Sequence, residues 1–244
     1  MDTSPALRGI TFDFWNTLVY EDRGHLRGRR LERWAGILEE AGYPAEREHL
    51  DAIYDGAWDA YVRSWRANQQ FVAAQAAEHA VEQLGFRLAT DVRDALVEAF
   101  GNAAEGAELH LVPGVADCVR DLHDRGLALG IVCDVGFTSS RLLKAFLDDQ
   151  GVFTHFDALA FSDEVGVYKP DAAIFEHALG GMGVAPAEAA HIGDLRRTDI
   201  AGGQALGMTT VRFIGVNDDD SQPDPEADYV IDDYGLLPAV LGLG

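Results

Sequence analysis

The chain of 244 residues carries a carboxylate where a strand is expected to end. Asp13 follows the apolar residues Ile10 and Phe12, a pattern typical of a buried strand, so its side chain is delivered to the strand's carboxyl end. An aspartate at such a position can take part in chemistry, but it is also a common turn or helix-capping residue. Its meaning therefore depends on what the rest of the chain brings near it.

A lysine is the second residue of interest. Lys169 lies directly before Pro170, which keeps the preceding residues out of a helix and can begin the helix that follows. An ammonium group fixed there could neutralise both a nucleophilic carboxylate and a phosphoryl oxygen. The alternative is an ordinary exposed lysine.

Two further carboxylates follow a short apolar run at residues 190–192. Gly193 leads into Asp194, and Asp199 comes five positions later. Hard oxygen ligands of this kind suit Mg²⁺, which takes one or two carboxylates and keeps several waters. Asp199 could equally cap the next helix.

The elements that must position these residues are read from apolar periodicity. Strands are predicted at residues 9–14, 128–133, 158–161, 190–192, 209–213 and 229–231. After the first strand, sequence with helical periodicity separates each strand from the next, which predicts a parallel sheet covered by helices on both faces. Ligands of such sheets bind outside the carboxyl ends of the strands, where Asp13, Lys169 and Asp194 are predicted to meet.

The interval between the first two predicted strands, from residue 20 to about residue 111, shows helical periodicity and no convincing strand. One compact domain with a helical insertion therefore fits the length of the chain. The acidic run at residues 218–220 is predicted to be a solvated loop.

The charge and composition of the chain restrict the binding partners and the cellular location that can be expected. The net charge of −22 would repel nucleic acid and anionic membrane surfaces, so neither is expected as a partner. The two cysteines, Cys118 and Cys133, have no disulfide or zinc spacing, and no apolar stretch is long enough to span a membrane. A cytoplasmic location is expected, and a small anionic substrate would need local positive charge from a lysine or a metal ion.

Together these segments resemble the haloacid dehalogenase superfamily, subfamily I with a helical C1-type cap. The family's signatures are Asp-x-Asp-x-Thr, a Ser or Thr after the second strand, a Lys, and Gly-Asp with a downstream Asp. Here they read as residues 13–17, Cys133-Asp134, Lys169-Pro170 and Gly193-Asp194 followed by Asp199.

The resemblance implies a Rossmann-like α/β core, residues 1–19 and 111–244, with an all-helical cap inserted at residues 20–110. It also implies a Mg²⁺-dependent phosphohydrolase that acts on a small phosphorylated metabolite through an aspartyl-phosphate. By position, Asp13 would be the nucleophile, and Lys169 would hold Asp13 and the transferring group. The resemblance further implies that Asp13, the Trp15 carbonyl and Asp194 bind a magnesium ion. It implies that Cys133, Asp134 and Thr17 contact the phosphate. Asp199 would orient Lys169 or a water at the metal.

Two residues depart from the family pattern. Trp15 stands where family phosphatases have an aspartate that protonates the leaving oxygen, and an indole has no proton to give near neutral pH. Cys133 replaces a hydroxyl and donates more weakly, so the amide of Asp134 could carry the anion contact instead. Asp134 is also a possible substitute acid or a turn residue.

These departures leave two alternatives beside the phosphohydrolase. One is a 2-haloacid dehalogenase-like enzyme, in which an aromatic residue at the position of Trp15 is common and halide leaves without a proton. Against it stand the metal-binding form Gly193-Asp194 and the absence of the dehalogenases' Ser-Asn signature. The other is a degenerate member that binds a phosphorylated ligand without turnover, which the retention of Asp13, Lys169, Asp194 and Asp199 disfavours.

Overall fold

The computed structural model of the protein describes residues 6–85, 87–221 and 224–244. The strands in chain order are β1 (Gly9–Phe12), β2 (Val19–Glu21), β3 (Leu109–Leu111), β4 (Ala128–Cys133), β5 (Ala158–Phe161), β6 (Ala189–Gly193), β7 (Thr209–Phe213) and β8 (Tyr229–Ile231). The α-helices are α1 (His25–Glu40), α2 (Arg47–Arg66), α3 (Ala73–Glu82), α4 (Thr90–Gly101), α5 (Val115–Asp124), α6 (Ser140–Asp149), α7 (Ser162–Val165), α8 (Ala172–Met182), α9 (Ala201–Ala205) and α10 (Leu237–Val240).

Six strands form one parallel sheet in the order β5-β4-β1-β6-β7-β8. The chain runs outward from β1 through β4 to β5 and then returns to the other side of β1 with β6. Strand order therefore reverses beside β1, the place where open α/β sheets bind ligands. The register pairs Phe12 with both Ile131 and Ile192, so the carboxyl end of β1 lies between those of β4 and β6.

Helices cover both faces of this sheet, as the sequence predicts. On one face, Ile174 and Phe175 of α8 pack in a core cluster with Val132 of β4. On the other face, the ring of Tyr234 contacts Phe12 and stacks on Phe213 at 4.7 Å. Neighbouring residues of a strand point to opposite faces, so the central strands, whose residues are nearly all buried, are covered from both sides.

The chain divides into two compact units. One comprises the described residues up to Tyr20 together with those of His110–Asp134 and Lys144–Gly244, and it holds the six-stranded sheet. The other comprises the described residues of Glu21–Leu109 and Val135–Leu143. The prediction that residues 135–143 belong to the core differs from this division, because only the helical interval after β1 is readable in the sequence as an insertion.

The second unit contains α1 to α4. Its interior holds the buried guanidinium of Arg30, which donates to the carbonyls of Phe100 (3.1 Å) and Phe137 (2.9 Å). Rings surround these residues: Phe137 lies 5.8 Å from Tyr54 and 5.4 Å from Trp58, measured between ring centroids. Tyr54 and Trp58 of α2 thus pack against Phe137 within this unit.

The prediction of no strand between residues 20 and 111 is wrong at both ends. Val19–Glu21 and Leu109–Leu111 form a two-stranded sheet where the chain leaves and re-enters the first unit. Each has three residues, which is too short for an alternation of apolar and polar residues to be recognised. In the described part of the chain, no helix combines the length and the apolar character needed to cross a membrane.

Candidate active site

The centre of the candidate site is a buried ion pair at the carboxyl end of β1. Asp13 is the first residue after that strand, and its amide donates to the Ile192 carbonyl at 2.8 Å. Its carboxylate accepts a hydrogen bond from the ammonium of Lys169, and the side chains of both residues are less than a tenth exposed. The predicted meeting of Asp13 and Lys169 is therefore present in the structure.

The same ammonium group contacts a second carboxylate. Lys169 Nζ donates to Oδ1 of Asp199 at 2.7 Å, and the backbone amide of Lys169 donates to Oδ1 of Asp134 at 3.0 Å. Asp134 thus fixes the segment that carries the lysine, a role that the sequence did not suggest. Burial alone would lower the pKa of Lys169, but the charges of Asp13 and Asp199 outweigh burial and raise that pKa well above its usual range.

Asp199 is held on both of its oxygens. Oδ1 accepts from Lys169 and lies 3.1 Å from Nε2 of His191, while Oδ2 accepts from the Leu195 amide (3.1 Å) and the Thr198 hydroxyl (3.2 Å). Burial opposes ionisation, but Lys169 and His191 hold the pKa of Asp199 well below its usual range. Four contacts fill the acceptor sites of one carboxylate, so Asp199 is suited to orienting Lys169 rather than to binding a metal directly.

Asp194 presents a different environment. Asn16 and Asn217 both donate to its Oδ2, at 3.3 and 2.7 Å, whereas its Oδ1 accepts no hydrogen bond from the described residues. Burial, reinforced by the charge of Asp199, raises the pKa of Asp194 to about 7. One oxygen is thus oriented by two amides, and the other is open to a ligand.

These carboxylates form a group that a cation fits. Oxygens of Asp13, Asp194 and Asp199 lie within 4.8 Å of one another, and the ammonium of Lys169 neutralises only one of the three charges. Burial raises the pKa of Asp13 well above its usual range, and the charges of Asp199 and Asp194 raise it further, since they repel the ionised form. The charge of Lys169 opposes both effects. A divalent cation would balance the remaining charge, and oxygen donors are those that Mg²⁺ prefers. The donor set therefore fits Mg²⁺ on Asp13 and Asp194.

The conformation of the turn after β1 places the side chain of Asn16 within reach of Asp194. The amides of Leu18 and Val19 both donate to the Phe14 carbonyl at 2.9 Å, and Asn16 adopts a left-handed conformation with φ of 56°. Asparagine tolerates that conformation better than most residues. The indole of Trp15 is partly buried and lies edge-on to Phe14, with ring centroids 5.2 Å apart.

The other predicted phosphate contacts are placed as follows. Cys133 ends β4 and is fully buried, and burial together with the charge of Asp13 raises the pKa of its thiol well above the usual range. Thr17 is also fully buried; its hydroxyl has no hydrogen-bond partner among the described residues, and its carbonyl accepts from the Tyr234 hydroxyl at 2.8 Å. No hydrogen bond in the described structure links Thr17 to the aspartate group, and its contact with phosphate stays a prediction.

Asn217 is a site residue that the sequence analysis missed. It precedes the acidic run predicted to be a solvated loop, yet Asp218 pairs with Arg212 at 2.6 Å and Asp219 accepts from the Arg196 amide at 2.7 Å. These contacts hold the loop so that Asn217 reaches Asp194. In the sequence, Asn217 is recognisable only as an asparagine before three aspartates. That pattern does not reveal that Arg212 and the Arg196 amide bind two of those aspartates.

With this geometry established, comparison with known proteins identifies the class. The chain belongs to the haloacid dehalogenase-like hydrolases, whose family model matches residues 7–207. The predicted superfamily and α/β fold are thereby confirmed.

Individual relatives agree with this assignment. Ribulose-1,5-bisphosphate 5-phosphatase from Halopiger xanaduensis is 28% identical over 93% of this chain and 96% of that protein. Haloacid dehalogenase-like hydrolase domain-containing protein 3 from Mus musculus is 37% identical over 52% of this chain and 47% of that protein. In that match, as in those to its bovine and human namesakes, the chain spans about half of the relative's length.

Solved structures show the same fold. A 2-haloacid dehalogenase from Pseudomonas syringae pv. tomato superposes with a TM-score of 0.71 at 24% identity, covering 97% of this chain and 99% of that one. Similarity at this level of identity reports the fold alone, and one fold can carry different chemistries. The activity must therefore be argued from the site.

The close approach of Asp199 to the end of β6 generates a first prediction. A Cβ added to Gly193 would lie 2.6 Å from Oδ1 of Asp199 and closer still to its Cγ. Gly193→Ala should therefore displace Asp199 and lower the free energy of unfolding by about 1–3 kcal/mol, the usual cost of overpacking. Urea unfolding followed by circular dichroism measures this.

Gly180→Ala is the matched control. An added Cβ there meets nothing within 4 Å on the exposed side of α8, so the change should leave stability equal or raise it by up to about 1 kcal/mol. Equal stability of Gly193→Ala and the wild-type protein would show that Asp199 is not tightly held against Gly193.

Proposed function

We propose that the protein is a Mg²⁺-dependent phosphohydrolase that acts on a small phosphorylated metabolite through an aspartyl-phosphate on Asp13. The observation that carries this proposal is the buried carboxylate of Asp13, aligned by the ammonium of Lys169 at the carboxyl end of the central strand. A nucleophile in that position needs a nearby positive charge to accept an anionic substrate. Lys169 is that charge in a chain with a net charge of −22.

The reaction follows from the groups present. An oxygen of Asp13 attacks phosphorus, the bond from phosphorus to the leaving oxygen breaks, and the phosphoryl group is left on the carboxylate, while the leaving oxygen takes a proton from solvent. Water then attacks the same phosphorus and gives a proton to solvent, and the bond from phosphorus to Asp13 breaks, which releases inorganic phosphate and restores the carboxylate. Lys169 balances negative charge in both steps, and Asp199 is a positioning residue for Lys169 because its oxygens are already occupied.

Magnesium belongs to this proposal through the carboxylates. Asp13, Asp194 and the backbone carbonyl of Trp15 would hold the ion, which would supply positive charge to the phosphoryl oxygens. The amides of Asn16 and Asn217 would fix the orientation of Asp194 toward it. Cys133, Thr17 and the amide of Asp134 are the proposed contacts for the phosphoryl group.

The division of the chain into two units supports a cap. We assign residues 20–110 to a helical cap and residues 1–19 and 111–244 to the catalytic core; the second unit also includes residues 135–143, which this assignment leaves in the core. Ribulose-1,5-bisphosphate 5-phosphatase, a phosphatase of small sugar phosphates by name, matches this chain over nearly its full length, which supports a small phosphorylated substrate. The strongly negative charge argues against nucleic acid and anionic membranes as partners, and a cytoplasmic location remains our proposal.

Carbon–halogen hydrolysis is the second candidate, because Trp15 has no proton to give and halide needs none. The charge of the site argues against it: three buried carboxylates around one ammonium call for a cation that such a reaction does not need. Assays of phosphorylated metabolites with Mg²⁺, beside 2-haloacids without metal, separate the two candidates. Turnover of 2-haloacids alone would contradict the proposal.

Asp13→Asn should abolish turnover while the fold is kept, because the amide preserves the shape of the side chain but lacks the nucleophilic oxygen. Asp148→Asn, on the exposed side of α6, is the control and should keep full activity. The measurement is the initial rate of phosphate release with Mg²⁺, with circular dichroism to verify folding. Asp13→Asn activity above a few per cent of wild type would contradict the covalent mechanism.

Beryllium fluoride separates a hydrolase from a protein that only binds phosphorylated ligands. With Mg²⁺, the wild-type carboxylate should capture it as a mimic of the aspartyl-phosphate, and fluorine NMR should show a bound signal. Asp13→Asn should show none. A wild-type protein that binds phosphate esters but does not capture beryllium fluoride would be a binding protein.

Asp194→Asn should raise the Mg²⁺ concentration needed for half-maximal binding. Losing a hydrogen-bonding partner of a metal ligand already costs roughly 10–100-fold in affinity, and losing the charged ligand itself should cost at least as much. Calorimetric titration of Mg²⁺ measures this without relying on activity, with Asp148→Asn as control. An unchanged titration would remove Asp194 from the metal site.

Trp15→Asp should raise hydrolysis of alkyl phosphates, whose poor leaving groups need a proton, and change that of aryl phosphates much less. The gain could reach the lower part of the roughly 10²–10⁴-fold range of general acid catalysis if the carboxyl group comes within about 3 Å of the leaving oxygen. Trp15→Phe keeps an aromatic ring and should show no such gain. The ratio of kcat/KM for alkyl and aryl substrates measures the effect, after folding is verified.

A Trp15→Asp protein that folds but shows no selective gain would mean that another group already supplies the proton or that the ester is not the native substrate. Asp134 is a candidate for that group. Comparison of Asp134→Asn with the double variant Trp15→Asp, Asp134→Asn distinguishes these outcomes. If Asp134 supplies the proton, adding Trp15→Asp to Asp134→Asn should raise hydrolysis of alkyl phosphates. If the ester is not the native substrate, it should not.

A further inference from the structure

We propose that His191 is a positioning residue of this site: as a neutral imidazole with its proton on Nε2, it orients Asp199, which in turn fixes Lys169 against Asp13. This inference rests on the proposed function, since it assumes that Asp13 is the nucleophile. It concerns a buried group that the reaction itself does not use.

His191 is fully buried in the middle of β6, beside Thr11 of β1, with which it is in register. Its Nδ1 lies 2.8 Å from the Thr11 hydroxyl, and its Nε2 lies 3.1 Å from Oδ1 of Asp199. The edge of the Phe175 ring closes the remaining side, with ring centroids 4.9 Å apart. Both ring nitrogens therefore have a polar partner in an otherwise apolar layer.

These partners determine which nitrogen carries the proton. The carboxylate of Asp199 is ionised and can only accept, so Nε2 must donate to it. Burial lowers the pKa of His191 despite the hydrogen bond to Asp199, so the ring is neutral and its Nδ1 is an acceptor. The Thr11 hydroxyl has one proton, which it can donate to that nitrogen or to the Ala190 carbonyl 3.3 Å away. Asp199, which can only accept, thus selects the tautomer that points an N–H at it.

The consequence reaches the nucleophile through two more hydrogen bonds. Oδ1 of Asp199 is shared by His191 and Lys169, while Oδ2 is held by Leu195 and Thr198. With donors on both oxygens, the carboxylate cannot rotate without breaking contacts. Removal of the His191 donor would leave Lys169 as the only partner of Oδ1. The ammonium would then be drawn toward Asp199, and its contact with Asp13 would weaken.

Two substitutions separate this role from simple packing. The side-chain amide of glutamine reaches about as far as Nε2, whereas that of asparagine reaches about as far as Nδ1. His191→Gln can therefore still donate to Asp199, and His191→Asn can contact only Thr11. Both remove the ring and its contact with Phe175, so a role in packing alone predicts similar effects for the two.

The kinetic test compares these variants on an aryl phosphate with saturating Mg²⁺. His191→Asn should lower kcat by about 10- to 100-fold with little change in KM, the size expected for one buried hydrogen bond to a charged group. His191→Gln should retain most of the wild-type kcat. Equal losses in the two variants, or a loss confined to KM, would overturn the positioning role.

The tautomer provides a readout that is independent of turnover. In protein labelled with ¹⁵N-histidine, long-range proton–nitrogen NMR distinguishes Nε2–H from Nδ1–H, and the signals of His191 among the eight histidines are those missing from His191→Gln. Wild-type protein should show Nε2–H alone. Thr11→Val should keep Nε2–H, because the acceptor Asp199 rather than the Thr11 hydroxyl requires that tautomer.

A wild-type Nδ1–H tautomer, or the loss of Nε2–H in Thr11→Val, would overturn the inference. If neither His191 variant folds, the tautomers of the wild-type and Thr11→Val proteins decide it. A wild-type protein that turns over no phosphate ester would overturn the proposed function, and the catalytic role of His191 with it. An active protein in which His191→Asn and His191→Gln are alike would overturn the role of His191 alone.

Discussion

The ion pairs of Lys169 with Asp13 and Asp199 are the interaction on which the rest of the site depends. Burying these charges is costly unless each is paired and hydrogen-bonded, because water no longer solvates them. The fold meets that requirement from three directions: β1 brings Asp13, the segment before α8 brings Lys169, and the turn after β6 brings Asp199. An error in any of these elements would leave a buried charge without its partner.

Much of the surrounding structure keeps these elements in place. Gly193 leaves room for Asp199, and Asp134 holds the backbone amide of Lys169. At the next level, Arg212 binds the loop that carries Asn217, which orients Asp194. These residues act on a charged group either directly or through neighbouring residues, so the reach of the site extends well beyond the residues that would contact a substrate.

The sequence predicted the sheet and the meeting of Asp13, Lys169 and Asp194. Asp13 and Asp194 stand at the ends of readable apolar runs, Lys169 lies between a predicted strand and the helix that Pro170 can begin, and parallel strands share one carboxyl edge. It did not predict the roles of Asn217 or His191. Their partners are distant in sequence, and periodicity does not show which face of a buried strand meets which side chain. The strands at Val19–Glu21 and Leu109–Leu111 were missed because three residues carry no periodic signal.

The account makes Asp13 the residue that carries the phosphoryl group, and chemical trapping tests this most directly. Protein mixed with an aryl phosphate and Mg²⁺ is quenched in acid and reduced with borohydride, which converts an aspartyl-phosphate to homoserine, and the peptide spanning residue 13 is then sequenced by mass spectrometry. The account predicts homoserine at position 13 only when substrate was present. Unmodified aspartate at position 13 in a protein that is turning over the substrate, or homoserine at another aspartate, would contradict it.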